Sequence, residues 1–281
     1  MRWSIRCNPL VLSMAASQNF HGIDLVELRL VHVGGRAGEH GHAVLQADHL
    51  VAELHGQFDV MDIAQAGHVQ FLRHLFDQPH DVSAYILYGK LLRRVDENEQ
   101  AFNAFLKADE LDPTLAVVKQ QIGNHLAEEG KGKAALSFFL QAVDLGPNVP
   151  IYHFSLGQII YDFRNEFISS GIFTRDTLER EMLKAFGKAA KLAPSNFDYQ
   201  MRMGEAYYDL ASPDWKSALI HWNKLREGAT TLLQNEILDL HRARTLGKLG
   251  RSNEAKVLLV NVRNMALQRS KTQVISEISQ H

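Results

Sequence analysis

The sequence predicts an all-α fold built from repeated pairs of helices, and three observations predict it. Gly89, Gly123 and Gly157 recur every 34 residues. Behind the first two stand the same residues at the same spacing: Ala101, Phe105, Ala108 and Pro113, then Ala135, Phe139, Ala142 and Pro147. The chain has 281 residues, 46% of them apolar, which is enough to bury a sizeable core.

Residues 1–81 form a segment of their own kind. No lysine, threonine or tyrosine precedes residue 85, and nine of the fourteen histidines fall at or before His80. Within it, Ile23 to Val33 is rich in branched apolar residues, Ala43 to Leu54 and Asp59 to Phe76 have helical spacing, and Gly34, Gly35, Gly38 and Gly41 read as a loop. Two readings of residues 1–60 stand side by side. One is a segment with too little patterned apolar surface to fold alone. The other is sequence upstream of a true start nearer Met61.

From residue 82 onward each repeated residue has a steric purpose. Antiparallel helices approach closely only where a small side chain sits at the crossing, so Gly89 is expected to face Ala101 and Gly123 to face Ala135. Ala108 and Ala142 let the second helix press on the following unit, Phe105 and Phe139 fill the remaining volume, and Pro113 and Pro147 stop that helix. The third unit, from Gly157 through Phe186 and Ala189 to Pro194, carries thirteen extra residues. Its first helix is expected to run past Phe163 and end before Gly171, with the next starting near Asp176 in a capping box with Glu179. The fourth unit shows Gly204, Tyr207, Ala218 and Trp222, with extra residues around Ser212 and Pro213. The fifth keeps Ala243, Leu246, Ala255, Leu259 and Val262, with alanine in place of the glycine and no proline.

The pattern of glycine, alanine, aromatic, alanine and proline resembles the tetratricopeptide family from about Val82 to Met265, roughly two thirds of the chain. The resemblance implies about five units, near 82–115, 116–149, 150–196, 197–230 and 236–267, stacked as a right-handed superhelix with first helices lining a concave groove. Residues 268–281 are expected to extend the last helix or fray. No polar capping helix is evident, so the C-terminal end is expected to expose apolar surface and pair with a second copy.

In the family, ligands lie against first-helix residues facing the groove. Counting from each glycine, the matching positions are Ile86, Lys90, Arg93 and Arg94, then Gln120, Asn124, Ala127 and Glu128. The later units add Phe154, Gln158 and Tyr161, then Met201, Glu205 and Tyr208, then Leu240, Arg244 and Lys248. Amides and cations suit peptide backbone or a carboxylate, and the rings suit an apolar side chain. The lysine, asparagine and arginine clamp of chaperone-binding members is incomplete, although Lys90 and Asn124 are suggestive. Phe163 to Phe173 is a second candidate contact surface, unless it only packs on the third unit.

The expected function is a non-catalytic scaffold or adaptor that binds a protein or peptide in the concave groove, with no cofactor; the alternatives are an accessory or regulatory protein whose N-terminal segment binds a metal, and a structural subunit that self-assembles through its ends. Thirty basic and thirty-two acidic residues leave no global field to recruit nucleic acid, and no stripe of cations with interleaved aromatics is present. Neither a phosphate-binding glycine loop nor a serine elbow occurs, and Glu128, Glu129, Asp162, Glu179 and Glu181 read as solvated helix faces. His40, His42, His49 and His55 are the one grouping that suggests a metal, but a site needs ligands brought to one point, and no two-histidine protease helix motif is present. Cys7 is the only cysteine, so no intrachain disulfide forms. No apolar run reaches the roughly 18–20 residues of a membrane span. A cytoplasmic location is expected. Export is the alternative, because Arg2 and Arg6 precede the apolar stretch Leu10 to Ala16, with Ala15 and Ser17 resembling a cleavage site.

Overall fold

The computed structural model describes residues 77–279 apart from Ile172. The expectations placed on residues 1–76, including the signal-like stretch and the His40 to His55 group, lie outside the described residues. After Leu145 the chain divides into two compact units.

In the first unit, α1 (Val82–Arg94) pairs with α2 (Asn98–Leu111), and α3 (Ala116–Glu128) pairs with α4 (Gly132–Leu145). The Asp81 carboxylate starts α1 by accepting the Ala84 N–H at 3.1 Å, which satisfies one of the donors a helix start leaves unpaired. Both hairpins turn alike. A residue in the left-handed region, Asp96 at φ 61° or Gly130 at φ 74°, lets the carbonyl of Leu92 or Leu126 accept the N–H of Glu97 or Lys131 at 3.0 or 2.8 Å. Aspartate is among the few non-glycine residues that enter this region at modest cost.

Ala101, Phe105, Ala108, Ala135 and Ala142 are fully buried, and Phe139 nearly so. The expected facing of glycine and alanine is corrected here. A Cβ on Gly89 would stand 2.8 Å from the Phe105 ring, and one on Gly123 would stand 3.0 Å from Phe139. Ala101 and Phe105 are four residues apart and share a face of α2, and it is the ring that reaches across to α1. The glycine is a slot for an aromatic side chain.

The second unit opens with α5 (Pro150–Asp162), whose first residue is a proline at the position where a missing N–H costs nothing. Gly157 receives the ring of Phe186 from α7 (Arg175–Leu192), 2.8 Å from where a Cβ would be. The inserted residues form the short α6 (Arg164–Ser169) and lengthen α7 to 18 residues. The first helix therefore stops at Asp162 and does not run past Phe163. Thr174 caps α7, its hydroxyl accepting the Thr177 N–H at 3.3 Å, in place of the expected Asp176 and Glu179 box. Glu179 is buried instead, and accepts the Ala211 N–H at 2.8 Å, fixing a loop 32 residues away. Phe167 is also buried, with Phe163 and Phe173 ring centroids at 6.3 and 6.2 Å, so the centre of the aromatic insertion is packing.

α8 (Phe197–Ala206) runs into a 3₁₀ turn, Tyr207–Asp209, and pairs with α9 (Trp215–Glu227), capped by Asp214. Here the slot at Gly204 holds the fully buried Trp222. α10 (Leu232–Lys248), which starts four residues ahead of the expected 236, packs on α11 (Ser252–Asn261). In this pair Ala243 and Leu259 share one core, a larger slot residue matched to a smaller filler.

Residues 268–279 correct two expectations. They neither prolong α11 nor fray: after a 3₁₀ turn, Met265–Leu267, they form α12 (Gln268–Ser279), packed on α10 and α11. Val274 and Ile278 enter the core and Arg269, Thr272, Gln273 and Ser276 stay exposed, so α12 caps the core of the last pair, while Ile275 and Met265 leave apolar surface exposed at this end as expected. Ile278 lies over Gly247, 2.7 Å from where a Cβ would be. Upstream, the buried Glu236 carboxylate accepts two backbone N–H groups, from Arg263 at 2.8 Å and Asn264 at 2.7 Å, which directs the chain toward α12. No described helix is long and apolar enough to cross a membrane.

Candidate binding surfaces on the first helices

Lys90 and Asn124 each follow a slot glycine by one residue, which places them at equivalent positions on α1 and α3. Both are half-buried, and neither has a hydrogen bond or ion pair among the described residues. Arg93 is already used: its guanidinium forks onto Glu128, Nη1 donating to Oε2 at 2.6 Å, and ties α1 to α3. Arg94 is exposed on the last turn of α1, and Gln120 is buried within α3.

Hydrogen bonding from Arg93 holds the Glu128 carboxyl below its ordinary 4.5. The folded state therefore binds fewer protons there than the unfolded one. The pair's contribution is present above pH 4.5 and is lost as pH falls through the lower folded value. Glu128→Gln is expected to flatten the acid limb of the first unit's stability curve. The change should stay under ~1 kcal/mol, because the pair is partly solvated. Thermal melts between about pH 5 and 3 measure it.

In the second unit the predicted residues divide into two sets. Phe154 is packing: its ring meets Phe186 at 5.7 Å and Tyr199 at 4.9 Å. Gln158 donates to Asp162 at 2.8 Å within its own helix. Tyr161 is partly exposed under the Arg202 guanidinium, 4.5 Å from its ring centroid. Arg202 also covers Phe186 at 4.3 Å and donates to Asp209 Oδ2 at 3.0 Å, while Arg164 donates to the Asp209 carbonyl at 2.9 Å. Glu205 is half-buried, and burial pushes its carboxyl up against the opposing pull of Arg202.

Tyr208 and Arg244 are brought together. The Tyr208 hydroxyl lies 3.2 Å from both the His241 carbonyl and Thr245 Oγ1, and its ring stacks near His241 and Trp222. Burial pushes that hydroxyl up to about 12, so it stays protonated, and pulls the His241 imidazole down to about 4, so it stays neutral. The Arg244 guanidinium stands 5.6 Å from the Tyr208 ring and donates through Nε to Glu277 Oε2 at 2.9 Å. Both residues border an open cavity of about 450 Å³, completed by Trp215, Lys248, Gln273 and Glu277. Gln273 and Glu277 carry no signal in the repeat spacing, because nothing periodic returns α12 to α10. Arg164 and Arg202 were missed because they lie off the register counted from the glycines.

Paired helices carry a glycine slot three times filled by phenylalanine and once by tryptophan, and solved structures share the architecture. YrrB, a TPR protein with an unusual peptide-binding site, superposes with a TM-score of 0.58 over 75% of this chain and 98% of that one, at 17% identity. The fold is the tetratricopeptide fold. Two further tetratricopeptide neighbours are PilF of Pseudomonas aeruginosa and PilW, a widely conserved type IV pilus biogenesis factor. PilF reaches a TM-score of 0.54 at 16% identity over 86% of this chain and 99% of its own. PilW also reaches 0.54, at 13% identity over 85% and 100%. No family model and no curated protein matches the sequence. Among the described residues, no group of three or more metal-ligating side chains converges.

Proposed function

We propose that this chain is a non-catalytic scaffold that binds a peptide or helix of another protein on the first-helix faces of its tetratricopeptide units. One observation carries the reading: Tyr208 and Arg244, placed on the ligand side by counting from the slot residues, border one cavity and offer it a ring and a cation. Glu277 on the same wall already takes two of the Arg244 donors, so the site suits an apolar side chain with a nearby backbone carbonyl. Lys90 and Asn124 add support, as half-buried polar groups with donors to spare on the first unit. A peptide-binding site on a fold neighbour is consistent with this use of the architecture.

The test is affinity capture from native extract with the full chain, a Lys90→Glu/Asn124→Ala variant and an Arg244→Gln variant, all checked for helicity. A protein retained by the natural chain and lost by either variant is the expected result. Identical capture by all three, or none by any, would show that these faces do not serve binding.

A further inference from the structure

A second cavity, of about 670 Å³, opens between α7, α8 and α9, and none of Tyr161, Glu205, Tyr208 or Arg244 lines it. Gly187, Met203 and Leu225 contribute to an apolar floor, with Lys191 and Lys224 at the rim. It is therefore separate from the surfaces described above.

Gly187 is the unusual residue. It lies deep within the 18-residue α7, and glycine is the poorest helix former after proline. Gly89, Gly123, Gly157, Gly204 and Gly247 each have a reason to be glycine, since a partner side chain lies within 3.0 Å of where a Cβ would be. Gly187 has no such reason: a Cβ there would meet only the Met203 side chain, at 3.5 Å, an ordinary contact. What the missing side chain leaves is the open floor of the cavity. Glycine is used where another chain must approach a backbone closely.

Hydrogen bonds fix the walls in place. Gln200 on α8 donates to the Ala190 carbonyl of α7 at 2.7 Å. His221 on α9 pairs through Nε2 with the Gln200 carbonyl at 2.8 Å, and burial keeps its imidazole in the neutral form that donates one proton there. The cavity is thus preformed. Its charge is of one sign: no acidic residue lines it, and neither lysine has a carboxylate partner among the described residues.

We propose that this cavity is a second docking site, for an acidic peptide segment that places an apolar side chain over Gly187, Met203 and Leu225 and flanking carboxylates on Lys191 and Lys224. The apolar floor favours a peptide over a bare anion, and two lysines are too few for a nucleic-acid track.

The probe is a fluorescently labelled peptide of alternating leucine and glutamate, capped at both ends and titrated with the full chain. Saturable binding is expected, weakened about tenfold by Gly187→Leu, which fills the floor. Lys191→Gln and Lys224→Gln should each weaken it about threefold, in keeping with partly solvated ion pairs. Gly187→Leu should melt at or above the natural chain, because leucine is the better helix former and enters open space. If that variant fails to fold, Gly187→Ala and the two lysine variants decide the matter. The proposal is overturned if the natural chain does not bind the peptide, if the folded cavity variants bind it equally, or if inorganic phosphate displaces it at matched charge, which would make the site one for small anions.

Discussion

Gly204→Ala is expected to lower the unfolding free energy of the second unit by about 3 kcal/mol, the upper range for adding a methyl group to a filled core. The reason is local. A Cβ at residue 204 would stand inside the contact distance of the Trp222 indole, which is fully buried and braced by His241 at 4.3 Å, His221 at 5.4 Å and Tyr208 at 6.4 Å. A rigid bicyclic ring cannot give way as a flexible side chain would. In a Trp222→Leu background the obstacle disappears, and the same Gly204→Ala change should be neutral or gain up to ~1 kcal/mol from helix propensity. The native chain already holds that combination at Ala243 and Leu259. Urea denaturation of the two single variants and the double variant, followed by circular dichroism, gives the coupling. Costs that simply add would mean that glycine and indole do not share one space.

Glu236→Ala is expected to cost about 3 kcal/mol, because the N–H groups of Arg263 and Asn264 lose a common charged acceptor in a part-buried site. Glu236→Gln should cost less, since one carbonyl oxygen remains to accept. The damage should concentrate at the C-terminal end: amides of α12 lose protection from hydrogen exchange before those of α8 and α9. Detaching α12 also uncovers the core around Leu246 and Val262, so the variant should self-associate with rising concentration. Unchanged exchange in α12 would show that Glu236 does not hold the cap.

The periodic positions were legible in the sequence because each reports a local demand: small where helices cross, aromatic where volume must be filled, proline where a helix stops. The identity of the partner was less legible. A spacing shows that Gly89 and Ala101 recur together, but not that Phe105 is the residue that lies over the glycine. Caps inside the insertion escaped for a related reason. Thr174 and Asp176 are both plausible caps, and the choice depends on where the turn after α6 ends, which no period records. Tyr208 and Arg244 can be reached by counting from the slot residues Gly204 and Ala243, so that they border one cavity is consistent with the sequence register. Glu277 could not be, since α12 breaks the register and meets Arg244 from 33 residues downstream. Phe154 shows what counting leaves open: a half-buried ring at a groove position packs on Tyr199, a residue of the next unit that no spacing within its own unit names.

The glycine slot also constrains how such a chain can be recombined. A hairpin exchanged whole carries both its slot and the side chain that fills it, so it arrives already matched. A crossover at the hairpin turn separates the two. α9 joined to α10 would drive Trp222 against the Ala243 methyl, and α11 joined to α8 would leave Leu259 short of Gly204. The α1–α2, α3–α4 and α5–α7 pairs escape this among themselves, because all three use glycine with phenylalanine. Insertion or loss of repeats should therefore be tolerated in linkers between hairpins, such as 112–115 and 228–231, and selected against at turns within them, such as 210–214 between α8 and α9.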